Sequence, residues 1–281
     1  MIDLDRIRIG TDAEVDLDDH DPRDVLGLAD KSSGAAVLER NADRIDDLQA
    51  RLYAEGTRSL LVVLQGLDTS GKDGTTRAVF TGVSPLAIET HSFGVPGPHE
   101  AAHDYLWRVH LRVPGRGRIG IFNRSHYEEV LVARVEELVP RKRWSRRYDH
   151  INDFERMLVD EGTTIVKCFL NISPEEQLER LQSRIEVPRK NWKIKKSDFE
   201  TRERWFDYRR AYEELLSRCS TDHAPWHVIP SDRKWARNAI VSELVLRTLE
   251  KMDPKYPKGE EDLDEIRDLA RKARKTPPRS A

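Results

Sequence analysis

Between residues 66 and 75 the chain reads Gly66-Leu-Asp-Thr-Ser-Gly71-Lys72-Asp-Gly74-Thr75. The G-x-x-x-x-G-K spacing lets backbone N–H groups converge on phosphate oxygens, a following helix adds its positive end, and Lys72 supplies a point charge. Ser70, Asp73, Gly74 and Thr75 complete the loop and are candidates for phosphate or nucleotide contacts. An ordinary glycine-rich turn is the competing reading. It is disfavoured by the context, because Leu60-Leu-Val-Val-Leu64 reads as a buried strand immediately before the loop and helical sequence follows it. The spacing therefore predicts a phosphotransferase of the P-loop kinase type.

Two loop residues depart from a plain anion cradle. Asp73 stands where a Ser or Thr hydroxyl would usually ligate magnesium, so the metal must find other ligands. Asp68 would repel phosphate unless a cation or proton lay between them. It is read as a metal ligand or a group that orients the acceptor, against loop capping. A second cluster, Asn123-Arg124-Ser-His126-Tyr-Glu128, closes the strand-like run Ile119-Gly-Ile-Phe122. Ligands of open α/β sheets sit at the carboxyl ends of strands, so this cluster should face the loop. Asn123 is uncharged where such enzymes usually carry Asp. Glu128 could restore that carboxylate beside the metal, and Arg124 could clamp a phosphate. For His126 a structural hydrogen bond competes with proton transfer.

A basic stretch, about 184–210, includes Arg184, Pro188, Trp192, Lys193, Lys195, Lys196 and Arg202. A solvated helix face is the bland reading. Pro188 and Trp192 argue instead for a hinged, anchored flap whose cations close over transferring phosphates. With Arg108, Arg112, Arg116, Arg118 and Arg134 the positive charge exceeds what a nucleotide needs and points to a longer polyanion, while no base-reading motif for nucleic acid is present.

These residues need a scaffold. Strands are expected at 60–64, 87–91, 118–122, 163–170 and 226–230, and helices at 35–55, 75–82, 99–112, 126–138, 143–160, 174–186, 198–218 and 233–251. The alternation predicts an α/β fold: a P-loop kinase-like open parallel sheet with helices on both faces and a basic helical lid. Residues 1–34 read as an N-terminal arm outside the core, 35–251 as the phosphotransferase domain, and 252–281 as a charged C-terminal tail with a surface helix.

The chain has 281 residues, 38% apolar and 35% charged, with 48 Lys and Arg against 50 Asp and Glu. A net charge of −2 excludes nothing by itself; its distribution matters, with acid in the first 50 residues and base in residues 105–147 and 184–210. Cys168 and Cys219 suit a reduced compartment, and Cys168 reads as a small buried hydrophobe. No signal peptide or membrane span is visible, so a cytoplasmic protein is expected.

With the segments assembled, the chain resembles the polyphosphate kinase 2 family, which moves phosphate between inorganic polyphosphate and nucleotides. The likeness is carried by Gly66 to Thr75, Ser92-Phe-Gly-Val-Pro96, Asp104-Tyr-Leu-Trp-Arg108, Ile121 to Glu128, Trp192-Lys193 with Asp198, Arg202 and Trp205, and Trp226 to Pro230. It spans roughly residues 35–250. The resemblance implies a fold related to thymidylate kinase, loop roles for Asp68 and Lys72, second-motif roles for Asn123, Arg124 and Glu128, and lid roles for Arg184, Lys193 and Arg202. It implies Mg2+ as cofactor, and polyphosphate with AMP, ADP and ATP as partners. The Asn-Arg-Ser-His-Tyr-Glu string is similar to the subgroup called class III, which accepts both AMP and ADP. A homo-oligomer, with a tetramer as the form to test, is suggested by the same analogy. The competing functions are an ATP-dependent nucleoside monophosphate kinase and a non-catalytic polyphosphate- or nucleotide-binding protein.

Overall fold

Strand β1 (Ser59–Gln65) is buried along its whole length and lies at the centre of a five-stranded sheet. A computed structural model describes residues 2–259 and 261–275. The sheet order is β2 (Ile88–Ser92), β3 (Ile119–Asn123), β1, β4 (Thr163–Asn171), β5 (Trp226–Pro230), and every ladder is parallel. Side chains alternate across a strand, so Leu61 and Val63 enter one apolar layer while Leu60, Val62 and Leu64 enter the other. The first layer is covered by α3 (Arg147–Asp160) and α6 (Trp205–Cys219). The second is covered by α1 (Lys31–Glu55) and α7 (Lys234–Met252). All five strands fall within two residues of the ranges expected from the sequence.

Helix ends follow local chemistry. At the start of α1 Asp30 accepts the Ser33 N–H while Ser33 Oγ returns to Asp30 N, and Gly56 closes the helix at φ 63°. The loop helix α2 (Lys72–Val79), capped by Gly71, begins three residues before the expected start. The long helices expected at 99–112 and 126–138 are instead short turns: Pro98–Ala101, Trp107–His110, His126–Glu129 and Val132–Val135. Asp104 explains the first break, because its carboxylate accepts the N–H groups of Leu106 and Trp107 and starts a new turn. Ahead of α3 a separate turn covers Arg141–Trp144, and the lid helix is divided at Arg204 into α5 (Lys196–Glu203) and α6.

The N-terminal arm requires a correction. Ahead of α1 its described residues 2–30 form only short turns, yet Ile2, Leu4, Ile7, Leu26 and Leu28 are buried in one layer and Ile9, Val15 and Leu17 in the other. Ile9 N donates to Trp226 O at 2.9 Å, and Arg8 bridges His227 in antiparallel fashion along the β5 edge. Isolated apolar residues in irregular chain have no period, so a periodicity reading leaves them outside. After α4 (Pro174–Glu186), α5, α6 and α7, the last described helix is α8 (Leu263–Lys275); Pro277 and Pro278 lie outside the described residues. Among the described residues no helix is long and apolar enough to cross a membrane. Cys168 and Cys219 are both free and buried.

Candidate active site

The register of the central strands builds the site. Leu64 pairs with Asn123, so both chains leave the sheet at the same level and Arg124 N donates to Leu64 O at 3.1 Å. Gly66 takes φ 150° and Gly71 φ 109°; a Cβ at Gly66 would meet Leu170 O at 2.8 Å, and one at Gly71 would meet Arg237 Nη1 at 1.9 Å. Only glycine fits these two turns. Thr69 and Arg124 also adopt positive φ, at 66° and 63°, which is uncommon for residues with a side chain.

Of the expected residues, Asp68, Lys72, Arg124 and Glu128 come together. Arg124 Nη2 donates to Asp68 Oδ1 at 2.7 Å. Lys72 is buried and donates to Gly66 O at 2.6 Å, curling into the loop it was expected to serve as a mobile charge. Burial first, and then the Arg124 guanidinium, push its ammonium down to about 8. The carboxyl of Glu128 is pushed up, mainly by burial, while Arg124 and Lys72 pull it back. Asp73 accepts from Lys193 Nζ at 2.9 Å and from Asn123 Nδ2 at 2.7 Å, and the Lys193 ammonium is the main cause holding its carboxyl below the usual range. The lid thus reaches the loop through Lys193, from 120 residues away in sequence. Ser70 and Thr75 are buried in the loop, and Gly74 approaches the Arg237 guanidinium.

Three expected basic residues are engaged elsewhere. Arg134, expected to add free positive charge for a polyanion, donates to Glu214 at 2.6 Å and lies 4.7 Å over the Trp144 ring. Arg184 holds the lid turn, donating to Lys193 O and Asp198 Oδ2 at 3.3 Å each. Arg202 donates to Pro174 O and Gln177 Oε1, and Gln177 in turn donates to Asp68 O at 3.3 Å. Trp192, expected to anchor the lid, is 77% exposed; Asn191, donating to Arg184 O and Ile185 O, does that work. His126 is structural in this arrangement: its Nε2 lies 3.1 Å from the buried Glu155, which also accepts from Tyr127 and from Lys167.

The loop has supports that sequence reading missed. Arg180 Nη1 donates to Thr69 O and Ser70 O, its Nη2 to Ser231 O and Asp232 O, and Arg237 Nη1 to Ser70 O. With these carbonyls held from behind, the loop's N–H groups are left to face an anion. Gln177, Arg180, Leu181 and Arg184 follow i, i+3, i+4, i+7 spacing, the signal of an inward helix face; their charge masked it. Gln65, whose Nε2 donates to Ser125 Oγ at 3.1 Å, links the two motifs and was detectable as the one polar residue between an apolar strand and Gly66.

Residues 28–257 match the family model described as Polyphosphate kinase 2. The chain belongs to the polyphosphate kinase 2 family. It is 48% identical over 265 residues to the AMP/ADP-polyphosphate phosphotransferase of Meiothermus ruber, covering 93% of this chain and 98% of that one. It is 39% identical to the ADP-polyphosphate phosphotransferase of Rhodopseudomonas palustris, with 90% and 91% covered. Among solved structures, polyphosphate kinase 2 from Arthrobacter aurescens TC1 superposes with a TM-score of 0.91 at 38% identity over 95% of each chain. The expected α/β fold of the P-loop kinase kind is thus the fold observed, and the chain is an enzyme of the polyphosphate kinase 2 type.

A phosphotransferase of this family implies a divalent cation. Among the described residues no group of three or more His, Cys, Asp or Glu is arranged to enclose one. The site fits an ion held by one or two carboxylates and otherwise by substrate oxygens and water: Arg124 engages one oxygen of Asp68, whose side chain stays 22% exposed, and Glu128 stands in the same cluster.

Proposed function

We propose that this protein transfers the terminal phosphate of inorganic polyphosphate to AMP and to ADP, giving ADP and ATP. The observation that carries this reading is the convergence of Asp68, Lys72 and Arg124 with a lid cation, Lys193, on one loop. The relative whose name includes both AMP and ADP supports acceptance of both nucleotides, as does the class III-like motif beginning at Asn123. In the reaction a phosphate oxygen of the nucleotide forms a bond to the terminal phosphorus. The bridging P–O bond breaks, and the polyphosphate chain leaves one unit shorter.

Catalysis of this transfer is positioning plus charge stabilisation. Lys72 turns from Gly66 O to the transferred phosphoryl group, Arg124 swings a guanidinium edge from Asp68 to a phosphate, and Lys193 exchanges Asp73 for the donor chain. Asp68 and Glu128 would hold Mg2+, which when bound would neutralise phosphate charge. Gly66, Ser70, Gly71, Gly74 and Thr75 present the cradle, Asn123 steadies Asp73, and Arg184 and Arg202 hold the lid's shape. Arg134 acts at a distance, by bracing α6. Free buried thiols are consistent with work in the reducing cytoplasm.

The test is donor choice. Purified protein with Mg2+ and AMP should form ADP and ATP from polyphosphate faster than it forms ADP from ATP. Phosphorylation of AMP by ATP alone, with polyphosphate inert, would make it a nucleoside monophosphate kinase.

A further inference from the structure

Helix α8 buries none of its own side chains: every residue from 261 to 274 is exposed. Yet Leu263, Ile266, Leu269, Ala270 and Ala273 fall on one apolar stripe, about a third of the helix circumference wide. We propose that this stripe is an interface with a second copy of the chain, in which two α8 helices pair antiparallel. The helix lies C-terminal to the residues that carry the family likeness, and its pairing is independent of the reaction.

The first observation is that the helix needs a partner. It has 13 residues, a length at which an isolated helix is marginal in water, and its three large aliphatic side chains are 59%, 43% and 57% exposed. Among the described residues its own chain does not cover them. The second is the distribution of size along the stripe. Leu263, Ile266 and Leu269 come first, and Ala270 and Ala273 last. Antiparallel pairing sets Leu263 against Ala273 of the partner subunit and Ile266 against Ala270 of the partner subunit. The two-fold axis repeats both contacts in reverse, so every layer holds one large and one small side chain. Parallel pairing would crowd the large residues at one end and leave a gap between alanines at the other.

Charge selects the same orientation. Glu265 and Lys272, one heptad apart, border the stripe along the same edge, and among the described residues neither is ion-paired. Arg267 and Arg271, in contrast, are tied within the helix to Asp264 at 2.7 Å and Asp268 at 3.5 Å. In the antiparallel pair the bordering edges meet, which brings Glu265 level with Lys272 of the partner subunit, and the same pair forms again across the axis. Parallel helices would instead set carboxylate against carboxylate and ammonium against ammonium. The stripe is thus complementary to itself in one direction only. Two helices of this length offer less surface than the roughly 1,200–2,000 Å² of a standard stable interface, so the contact is a reversible one that tightens where copies are already held together.

The full-length protein tests this by cross-linking. Cys168 and Cys219 are buried, so thiols introduced on α8 report alone. In E265C/K272C the two thiols lie about 10 Å apart along one helix, too far to bridge within it. Mild oxidation should link two chains, giving at least about tenfold more dimer on a denaturing gel than E265C or K272C alone. Adding I266D/L269D should abolish that dimer while leaving the melting temperature at the wild-type value, because α8 buries nothing in its own chain. Without added cysteines, E265K should weaken self-association in sedimentation, and E265K/K272E should restore it. No linked dimer from E265C/K272C would overturn the pairing, as would a dimer that survives I266D/L269D. Equal linking by E265C alone would overturn the antiparallel orientation, and so would unchanged association in E265K.

Discussion

At the scale of single residues the site depends on a few positions whose alternatives are sterically closed. A methyl group at Gly71 would sit 1.9 Å from Arg237 Nη1 on a backbone already at φ 109°. Gly71→Ala should therefore destabilise the fold by at least about 1–3 kcal/mol and raise KM for polyphosphate, as urea denaturation and steady-state kinetics would reveal. Ionisation sets the pH range. Lys72 in the free enzyme loses its charge as pH rises through about 8, and Glu128, pushed up by burial, loses its charge as pH falls, before an ordinary carboxylate would. The profile of kcat/KM for polyphosphate should then be a bell, with its alkaline limb near 8 and its acid limb above the usual carboxylate range. A profile flat from 7 to 10 would detach Lys72 from the donor. The loop residues were legible from type and spacing because the backbone geometry of a phosphate cradle demands glycine at fixed places. The partners of Arg134 and Arg202 were not legible, since a cation's spacing does not say which carboxylate or carbonyl the fold brings to it.

Among the elements, β3 and the turn after it carry Arg124 and Glu128, and a buried polar cluster holds that turn. Lys167 Nζ donates to Glu155 Oε2, Tyr127 OH and Cys219 O, while Glu155 also accepts from Tyr127 and pairs with His126. Burial pushes the Glu155 carboxyl up, and the Lys167 ammonium with His126 reverses this, so its net displacement is downward. Lys167→Met would take the ammonium from a fully buried carboxylate and should lower stability by about 3–5 kcal/mol in chemical denaturation; a loss below about 1 kcal/mol would mean that the cluster is not holding charge. Four strands were well read because short apolar runs of β-branched and aromatic residues have no other use in a parallel sheet, whereas β2, Ile-Glu-Thr-His-Ser, is a largely polar edge strand. Helices around Asp104 and Arg204 were overextended because helical periodicity continues across a break that side-chain hydrogen bonds or a change of direction impose.

For the whole molecule, charge segregation is the organising feature: acid on the arm, base on the lid, and the cleft between them. Exposed charges are screened within about 8 Å at physiological salt, so KM for polyphosphate should climb steeply with added salt; a KM unmoved by salt would argue against a donor held by the exposed cations of the lid. The arm's place in this arrangement was hidden from sequence because its eight buried apolar residues are scattered through irregular chain. The central claim, that the loop at 66–75 serves transfer from polyphosphate, is tested most directly by one time course. AMP, ADP and ATP are followed together with polyphosphate as sole donor, in wild type and in Lys72→Ala of matched circular dichroism. The account predicts that AMP declines as ADP rises and then yields ATP, and that Lys72→Ala slows this by roughly 10²-fold or more. Equal rates in the two proteins, or no ATP from the wild type, would contradict it.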